Sequence, residues 1–207
     1  YKNFSFGYAT YVQQEPADAI SDIYNRGFLP DTSPQSKPGL YYMARSARVN
    51  LAGWEMNSEN RRVWRKFEGK LERSETPFDE CARDEAFRTF CLNYFSDRHG
   101  SDAMPERKFD AVLHFGTITH VITYHLDGKL AAYVFEVADT RAAHFWFSFY
   151  DLQYTNQSLG LWLMLERLQA AQSAGRSHYY LGGANGAKAR YKTNFNQLEY
   201  WTGAKWS

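Results

Sequence analysis

One stretch of about a third of the chain constrains the fold most. It contains three β-like segments, a helix and a further β-like segment in succession: Thr117–His125, Lys129–Val137, Ala143–Tyr150, Ser158–Ala174 and His178–Leu181. Asp127-Gly128 separates the first two segments and is a dipeptide typical of a tight hairpin turn. Gly175 is placed to end the helix. The succession predicts an α+β domain with one mixed, mostly antiparallel sheet flanked by helices.

The rest of the chain adds weaker elements. Helices are predicted at residues 17–26, 57–71 and 79–95, and strands at residues 41–51 and 198–202, with loops at 30–39 and 96–110. No composition shift marks a domain boundary. We therefore expect one domain over residues 1–207, in which residues 1–56 form an N-terminal extension packed onto the rest.

Composition excludes several classes of protein. The 207 residues carry 24 Lys+Arg against 23 Asp+Glu, and 44% are hydrophobic, as in an ordinary globular chain. The two cysteines form no CxxC pair, and the six histidines show no metal-ligand spacing, so no metal site is predicted. The absence of a long apolar run predicts no membrane partner and a cytoplasmic protein.

A candidate anion site lies where the third strand meets the long helix. Gln157 to Leu161 (QSLGL) open that helix, and free backbone N–H groups at a helix N-terminus bind anions. Gly160 lets an anion approach the backbone closely. The Gln-x-x-Gly pattern resembles the acyl-donor loop of the Gcn5-related N-acetyltransferase (GNAT) superfamily. Trp162 stands where that superfamily has a small residue, and we expect its side chain to crowd a bound pyrophosphate.

Several further motifs follow in a fixed order. They are Phe149-Tyr150-Asp151, Ser158-Leu159-Gly160, Tyr180-Leu181-Gly182 and Lys188-Ala-Arg-Tyr191-Lys192-Thr-Asn-Phe195. Together they resemble the catalytic domain of the arginyl-tRNA–protein transferases and their bacterial leucyl relatives, over about residues 110–204. Gln197 stands where that family usually has proline, and the N-terminal part contains no cysteines like those that bind a cluster or metal in the family.

The resemblance implies a GNAT-like fold and aminoacyl transfer from a charged tRNA to an amine, with aminoacyl-tRNA as co-substrate and no other cofactor. The ester is already activated, so the protein has to align amine and ester, stabilise an oxyanion and move a proton. Tyr150 and Tyr191 are expected to stack on the terminal adenine or to position a proton, and Asp151 to hold an ammonium or cationic group. The alternative for these residues is a purely structural role, in the core or in a turn.

Two further groups are expected to bind the donor. The first would present backbone N–H groups to the acyl group or its leaving group: Phe147, Ser148 and Phe149, if the strand splays there, and Gln157, Ser158, Leu159, Gly160 and Leu161. The second would neutralise tRNA phosphates: Lys188, Arg190, Lys192, Arg45, Arg48, Arg61, Arg62 and Arg65. The alternative for these cations is a solvated surface.

The sequence leaves three functions open. The first is an aminoacyl-tRNA-dependent transferase acting on a protein, peptide or small-molecule amine. The second is an N-acyltransferase that uses acetyl-CoA or another acyl-CoA, which Gln157 and Gly160 favour and Trp162 opposes. The third is a non-catalytic module that binds tRNA or a protein.

Overall fold

The computed structural model describes residues 9–33, 36–184 and 191–207, and in it the strands form two sheets. The smaller sheet has the order β1-β3-β2 and consists of β1 (Tyr11–Gln13), β2 (Phe28–Pro30) and β3 (Leu40–Met43). The larger sheet consists of β4 (Ser46–Asn50), β5 (Leu71–Pro77), β6 (His120–Leu126), β7 (Lys129–Ala138), β8 (Ala142–Tyr150), β9 (His178–Gly183) and β10 (Leu198–Tyr200). Its order is β10-β4-β9-β8-β7-β6-β5.

Strand direction in the larger sheet follows the predicted pattern. β8 and β9 run parallel, and the other neighbouring pairs are antiparallel. The turn between β6 and β7 has positive φ at both Asp127 (51°) and Gly128 (72°), as a two-residue hairpin requires. The predicted α+β fold with a mostly antiparallel sheet is confirmed.

Helices cover both faces of the larger sheet. They are α1 (Ile20–Asn25), α2 (Ser58–Trp64), α3 (Glu85–His99), α4 (Glu106–His114) and α5 (Leu159–Ser173), with a 3-10 helix (Leu152–Gln157) before α5. α2 and α5 share a core cluster on one face, and residues of α3 and α4 share another with Phe135 and Phe149. Side chains of Asn57 and Asp84 cap α2 and α3 by accepting from the backbone N–H groups of Asn60 and Phe87.

Several predicted boundaries were wrong for identifiable reasons. The helix expected over 57–71 ends at Trp64, turns follow with Gly69 at φ 68°, and Leu71 begins β5. The helix expected over 79–95 begins only after its Asp84 cap, and the loop expected over 96–110 contains the start of α4. The single strand expected over 41–51 is two strands in different sheets, β3 and β4.

The N-terminal residues are divided between two settings. α1 and the smaller sheet pack through Tyr24 and Tyr41 against Val137, Ala142 and Tyr180 of the larger sheet. β4, from the same N-terminal part, lies inside the larger sheet between β9 and β10. Residues 46–50 are thus part of the central sheet and not of a peripheral layer.

Candidate active site

The parallel strands β8 and β9 separate at their carboxyl ends. They pair only through Ala142–His144 and His178–Tyr180. Beyond these residues β8 stays paired with β7 as far as Tyr150, and β9 stays paired with β4. Each strand therefore has an open edge facing the other, and a cleft at the carboxyl ends of parallel strands is a common ligand site in α/β sheets.

Backbone donors of β8 face this cleft. Asp151 N–H donates to Ala131 O of β7 at 2.9 Å, so the backbone groups of Asp151 point toward β7. Because backbone groups alternate between the two edges of a strand, those of Ser148 and Tyr150 point into the cleft. The splay that the predicted oxyanion donors required is present, and it leaves Ser148 N–H in the cleft.

The N–H groups of Phe147 and Phe149 do not point into the cleft, where oxyanion donors were predicted. The same alternation turns their N–H groups toward β7. Their rings lie in the aromatic cluster on the α3 face, 6.0 and 5.5 Å from the ring of Phe95. Both residues form the wall behind the cleft.

The first turn of α5 offers two more donors. Ser158 has left-handed backbone dihedrals (φ 67°, ψ 37°), and its carbonyl accepts from Leu161 and Trp162 at 3.1 and 3.0 Å. The N–H groups of Leu159 and Gly160 have no acceptor among the residues that the structure describes. Of the five predicted residues from Gln157 to Leu161, these two retain N–H groups able to bind an anion.

Gly160 is packed against Tyr150. A Cβ atom at position 160 would lie 2.8 Å from Tyr150 Cε1 and 3.3 Å from its hydroxyl oxygen, closer than side chains tolerate. The absence of a side chain therefore lets the Tyr150 phenol lie against the first turn of α5. Tyr150 is 8% exposed, so it forms part of the cleft wall and not of the outer surface.

Three tyrosines surround this point. The rings of Tyr94 and Tyr150 are 5.0 Å apart, and burial, followed by the electrostatic effect of Tyr150, raises the pKa of Tyr94. Burial and then Tyr150 raise the pKa of Tyr191, whose side chain remains 47% exposed. Arg98, one turn beyond Tyr94 on α3, opposes both shifts with its positive charge. Two predicted site residues, Tyr150 and Tyr191, are thus brought together.

Asp151 is held by the turn that follows β8. One carboxylate oxygen accepts from Gln153 N–H at 3.0 Å, and the other accepts from the Gln153 side-chain amide. The carboxylate also begins the 3-10 helix, the capping role that the sequence left open. Gln153 was missed by sequence reasoning, although its position two residues after Asp151 is typical of such a turn.

The Lys192 side chain points inward and lies against β9, on the side of the cleft opposite β8. Its ammonium donates to Leu181 O at 2.6 Å and to Gly183 O at 3.3 Å, on β9. Burial lowers the pKa of Lys192 to about 8. His144 is next to it: burial, and then the Lys192 charge, lower the pKa of His144 to about 3.

The predicted tRNA-binding arginines fall into three groups. Arg48 is 6% exposed and bonds Glu199 at 2.6 Å and the Tyr180 hydroxyl at 3.0 Å, so its charge is used inside the protein. Arg61 donates to Met56 O, and Arg62 pairs with Glu59 at 2.6 Å on the surface. Two arginines are exposed without a salt bridge to any described residue: Arg45 and Arg65. Lys188 and Arg190 lie outside the described residues.

α2 is nevertheless close to the cleft. Trp64 of α2 stacks on Trp162 of α5 with ring centroids 5.2 Å apart. Asn57 and Asn60 donate to Asn194 O, both at 3.1 Å. These contacts place the basic surface of α2 beside the first turn of α5 and the segment that carries Tyr191.

The expectation that Trp162 crowds an anion site is wrong. Its indole is 4% exposed and donates to Trp64 O at 3.0 Å, so it lies in the core beneath α2. The indole is therefore enclosed between α5 and α2 and does not occupy the surface at the first turn of α5.

The described residues contain neither a metal-binding cluster nor a membrane-spanning helix. Among the described residues there is no cluster of three or more His, Cys, Asp or Glu side chains able to hold a metal ion. No helix in the described ranges combines the length and apolar composition needed to cross a bilayer.

Aminoacyltransferases are found among the known proteins whose sequences are similar to this chain. Aspartate/glutamate leucyltransferases from Cereibacter sphaeroides (strain ATCC 17029 / ATH 2.4.9) and Ruegeria pomeroyi are both 26% identical, over 95% of this chain and 74% and 75% of their own lengths. The enzyme of the same name from Nitrosococcus oceani is 30% identical over 78% of this chain and 69% of its own length.

Two solved structures share the fold. The C-terminal domain of a putative lysylphosphatidylglycerol synthetase from Agrobacterium fabrum has a TM-score of 0.52 and 16% identity, covering 72% of this chain and 49% of that one. L-PGS from Bacillus licheniformis has a TM-score of 0.50 and 10% identity, covering 68% and 46%. At these identities the likeness concerns the fold alone, and it bears out the fold class predicted from the sequence.

The family itself is shown by a sequence profile described as "Arginine-tRNA-protein transferase, C terminus", which matches residues 73–202. The matched range contains β8, the first turn of α5, β9 and the segment with Tyr191, which are the parts that build the cleft. The chain therefore belongs to the arginine-tRNA–protein transferase family and is an aminoacyltransferase that uses charged tRNA.

Proposed function

We propose that this protein transfers leucine from leucyl-tRNA to the α-amine of proteins that begin with Asp or Glu. The observation that carries the proposal is the open edge of β8, where Ser148 N–H points into the cleft between β8 and β9. The choice of leucine and of acidic acceptors is supported by the names of the relatives that match 95% of the chain.

The reaction is aminolysis of an ester. The amine nitrogen attacks the aminoacyl carbonyl, the bond to the terminal ribose oxygen breaks, and the proton lost by the amine ends on that oxygen. Ser148 N–H is the donor for the oxyanion that forms on the carbonyl oxygen. Because the ester is already activated, alignment of the two substrates in the cleft accounts for most of the rate gain.

The tRNA acceptor end would lie over the first turn of α5. The N–H groups of Leu159 and Gly160 are placed to bind a phosphate near the terminal nucleotide. The Tyr191 ring, partly exposed beside Tyr150, is available to stack on the terminal base. Arg65 and the neighbouring surface of α2 would meet phosphates further along the strand.

The acidic residue of the acceptor needs a cation near the attacking amine. Arg98 is exposed, one turn from Tyr94, and has no ion pair among the described residues. Its charge influences Tyr94 and Tyr191, which places it close to the cleft. An arginine fork suits a carboxylate, so Arg98 is our candidate for acceptor recognition.

Transfer is tested with purified protein, radiolabelled leucyl-tRNA and peptides that differ only in a first residue of Asp, Glu, Ala or Lys. The proposal expects label on the Asp and Glu peptides, with the added mass on the N-terminal amine. Arginyl-tRNA in a parallel reaction tests the donor, and a small amine tests the acceptor. Transfer from arginyl-tRNA alone would overturn the choice of leucine, and label on the small amine alone would overturn the protein acceptor.

An acyl-CoA donor remains a second candidate because of one observation. Trp162 is turned into the core, so the first turn of α5 has room for a pyrophosphate. Acetyl-CoA added to the leucyl-transfer reaction separates the two. Acetylated peptide in the absence of tRNA would favour the acyl-CoA reading, and an unchanged leucyl-transfer rate with no acetylated product would rule it out.

A further inference from the structure

The open edge of β9 is occupied by a side chain. Ala184 N–H donates to Arg45 O at 2.9 Å, so the backbone groups of Ala184 and Gly182 point away from the cleft. Those of Leu181 and Gly183 point into it, because backbone groups alternate along a strand. Their two carbonyls are the ones that accept from Lys192, at 2.6 and 3.3 Å.

A single ammonium therefore takes the place of a neighbouring strand. If β8 continued alongside β9, its N–H groups would donate to these carbonyls. Unpaired backbone carbonyls in a partly buried cleft are costly, and Lys192 satisfies both without closing the gap. β8 keeps its own open edge, where Ser148 N–H lies.

The surroundings of Lys192 fit this inward position. A Cβ atom on Gly182 would lie 3.5 Å from the Lys192 ammonium and 3.2 Å from His144 Nε2, and the φ of Gly182 is +80°. Burial lowers the pKa of Lys192 to about 8, as expected for an ammonium away from water. An ammonium held in this way is directed away from the surface on which tRNA would lie.

Lys192 also anchors the segment that carries Tyr191. Further along the same segment, Asn194 O accepts from Asn57 and Asn60, and Phe195 is 7% exposed in the core. Lys192 holds the part of the segment nearest Tyr191 through its two hydrogen bonds to strand β9. Loss of its two hydrogen bonds would free Tyr191 from its place beside Tyr150.

We propose that Lys192 is a positioning residue for the transfer reaction: its ammonium holds the open edge of β9 in place of a strand and fixes Tyr191 at the cleft. The role rests on the proposed function for its effect on rate. It replaces the expectation that Lys192 binds tRNA phosphates. The residue touches no substrate in this scheme and acts through Tyr191 and the shape of the cleft.

The test compares Lys192→Met, which keeps the length of the side chain and removes the donor, with Lys108→Met. Lys108, on α4, is a matched control. Its ammonium also donates to a backbone carbonyl, Ala103 O, at 3.4 Å. For Lys192→Met we expect kcat to fall by about a hundredfold, the loss typical of a misplacement of about 1 Å. The KM for charged tRNA and its salt dependence should stay within about twofold of wild type, and Lys108→Met should behave as wild type.

Restoration of the ammonium separates positioning from general damage to the fold. Lys192→Cys, prepared together with Cys81→Ser to remove the more exposed native thiol, is treated with 2-bromoethylamine, which rebuilds a lysine-like side chain. The proposal expects most of the lost kcat to return. Failure to regain activity with an intact fold, or a loss confined to tRNA affinity and salt dependence, would overturn it.

Amide hydrogen exchange provides a readout that does not depend on transfer. Exchange at residues 181–184 and 191–195 should become faster in Lys192→Met and stay unchanged in Lys108→Met. If no charged tRNA supports transfer but this exchange difference is present, the proposed function fails and the structural part of the inference stands. If exchange is unchanged in Lys192→Met, Lys192 does not hold the edge of β9.

Discussion

Arg167 of α5 and Glu136 of β7 form an ion pair inside the protein. Nε of Arg167 lies 3.0 Å from Glu136 Oε2, and the two side chains are 1% and 0% exposed. The Tyr179 hydroxyl of β9 donates to the same carboxylate at 2.8 Å. The pair therefore joins the helix to strands on both sides of β8, just below the point at which β8 and β9 separate.

Removing one partner of this pair should destabilise the fold strongly. In Arg167→Met the carboxylate of Glu136 stays buried without its cation, a change that costs roughly 3–5 kcal/mol in comparable pairs. The free energy of unfolding in urea measures the loss. Arg62→Met, which breaks an exposed pair with Glu59, is the control and should leave the unfolding midpoint unchanged. A midpoint for Arg167→Met equal to wild type would show that the buried pair contributes nothing.

Gly160→Ala should reduce activity through Tyr150. The new methyl group would lie 2.8 Å from Tyr150 Cε1, so the phenol has to move away from the first turn of α5. We expect kcat to fall by about tenfold or more, because a displaced wall misaligns the substrates. Steady-state kinetics with labelled leucyl-tRNA measures the change. The prediction is contradicted if the variant keeps the wild-type kcat.

Stability should fall in acid because of His144. Its pKa in the folded protein is lowered to about 3, by burial and then by Lys192, and its Nδ1 is 3.1 Å from the Tyr24 hydroxyl. The unfolded chain binds a proton near the usual value of about 6.5. Below that pH the unfolded state binds more protons, so the free energy of unfolding should decrease by about 1.4 kcal/mol per pH unit until the folded pKa is reached.

The measurement is a set of urea unfolding curves between pH 7 and pH 4, for wild type and His144→Gln. The variant keeps a polar side chain and should show a flatter dependence on pH. Parallel curves for wild type and His144→Gln would contradict the assignment.

Arg65 and Arg48 should behave differently in tRNA binding. Arg65 is exposed near the cleft, so Arg65→Gln should lower affinity and reduce the salt slope by about one unit, as loss of one phosphate contact does. Arg48 is committed to Glu199 and Tyr180, so Arg48→Met should lower stability and leave the salt slope unchanged. Binding titrations at several salt concentrations test both. The reverse pattern would mean that Arg48 reaches tRNA.

Arg98→Gln should relax acceptor preference. If the guanidinium binds the acidic side chain of the acceptor, kcat/KM for Asp and Glu peptides should fall by about tenfold or more while the rate with an Ala peptide stays the same. Arg83, another exposed arginine before α3, is the control position. An equal loss with all peptides would assign Arg98 to tRNA or to the fold.

Local patterns predicted the central part of this fold well. The hairpin at Asp127-Gly128, the helix that Gly175 ends and the strands on either side of that helix all lie where the sequence placed them. These elements have strong local signals in turn chemistry and apolar periodicity. The edge strand β5 has neither, since Leu71–Pro77 is polar and mostly exposed, and it was missed.

The candidate site was predicted in position and not in detail. The order of the sequence motifs predicted one site that contains Tyr150, Tyr191 and Gly160. Whether an N–H group faces a cleft or a neighbouring strand depends on register, so the separate positions of Ser148 and Phe149 were beyond the sequence. The same holds for Lys192 and Arg48, since charge alone does not tell a solvated cation from one bonded inside the protein.

The position of β4 has a consequence for how the chain is made. This strand is synthesised early, yet its partners on both sides, β9 and β10, come from the far end of the described sequence. A ribosome-bound chain that stops before residue 178 therefore lacks both partner strands of β4. In the same chain the edge of β8 that faces β9 is unpaired along its whole length. Assembly of the cleft is consequently a late event of folding, and a fragment limited to residues 73–202 would lack the strand that closes the outer edge of β9.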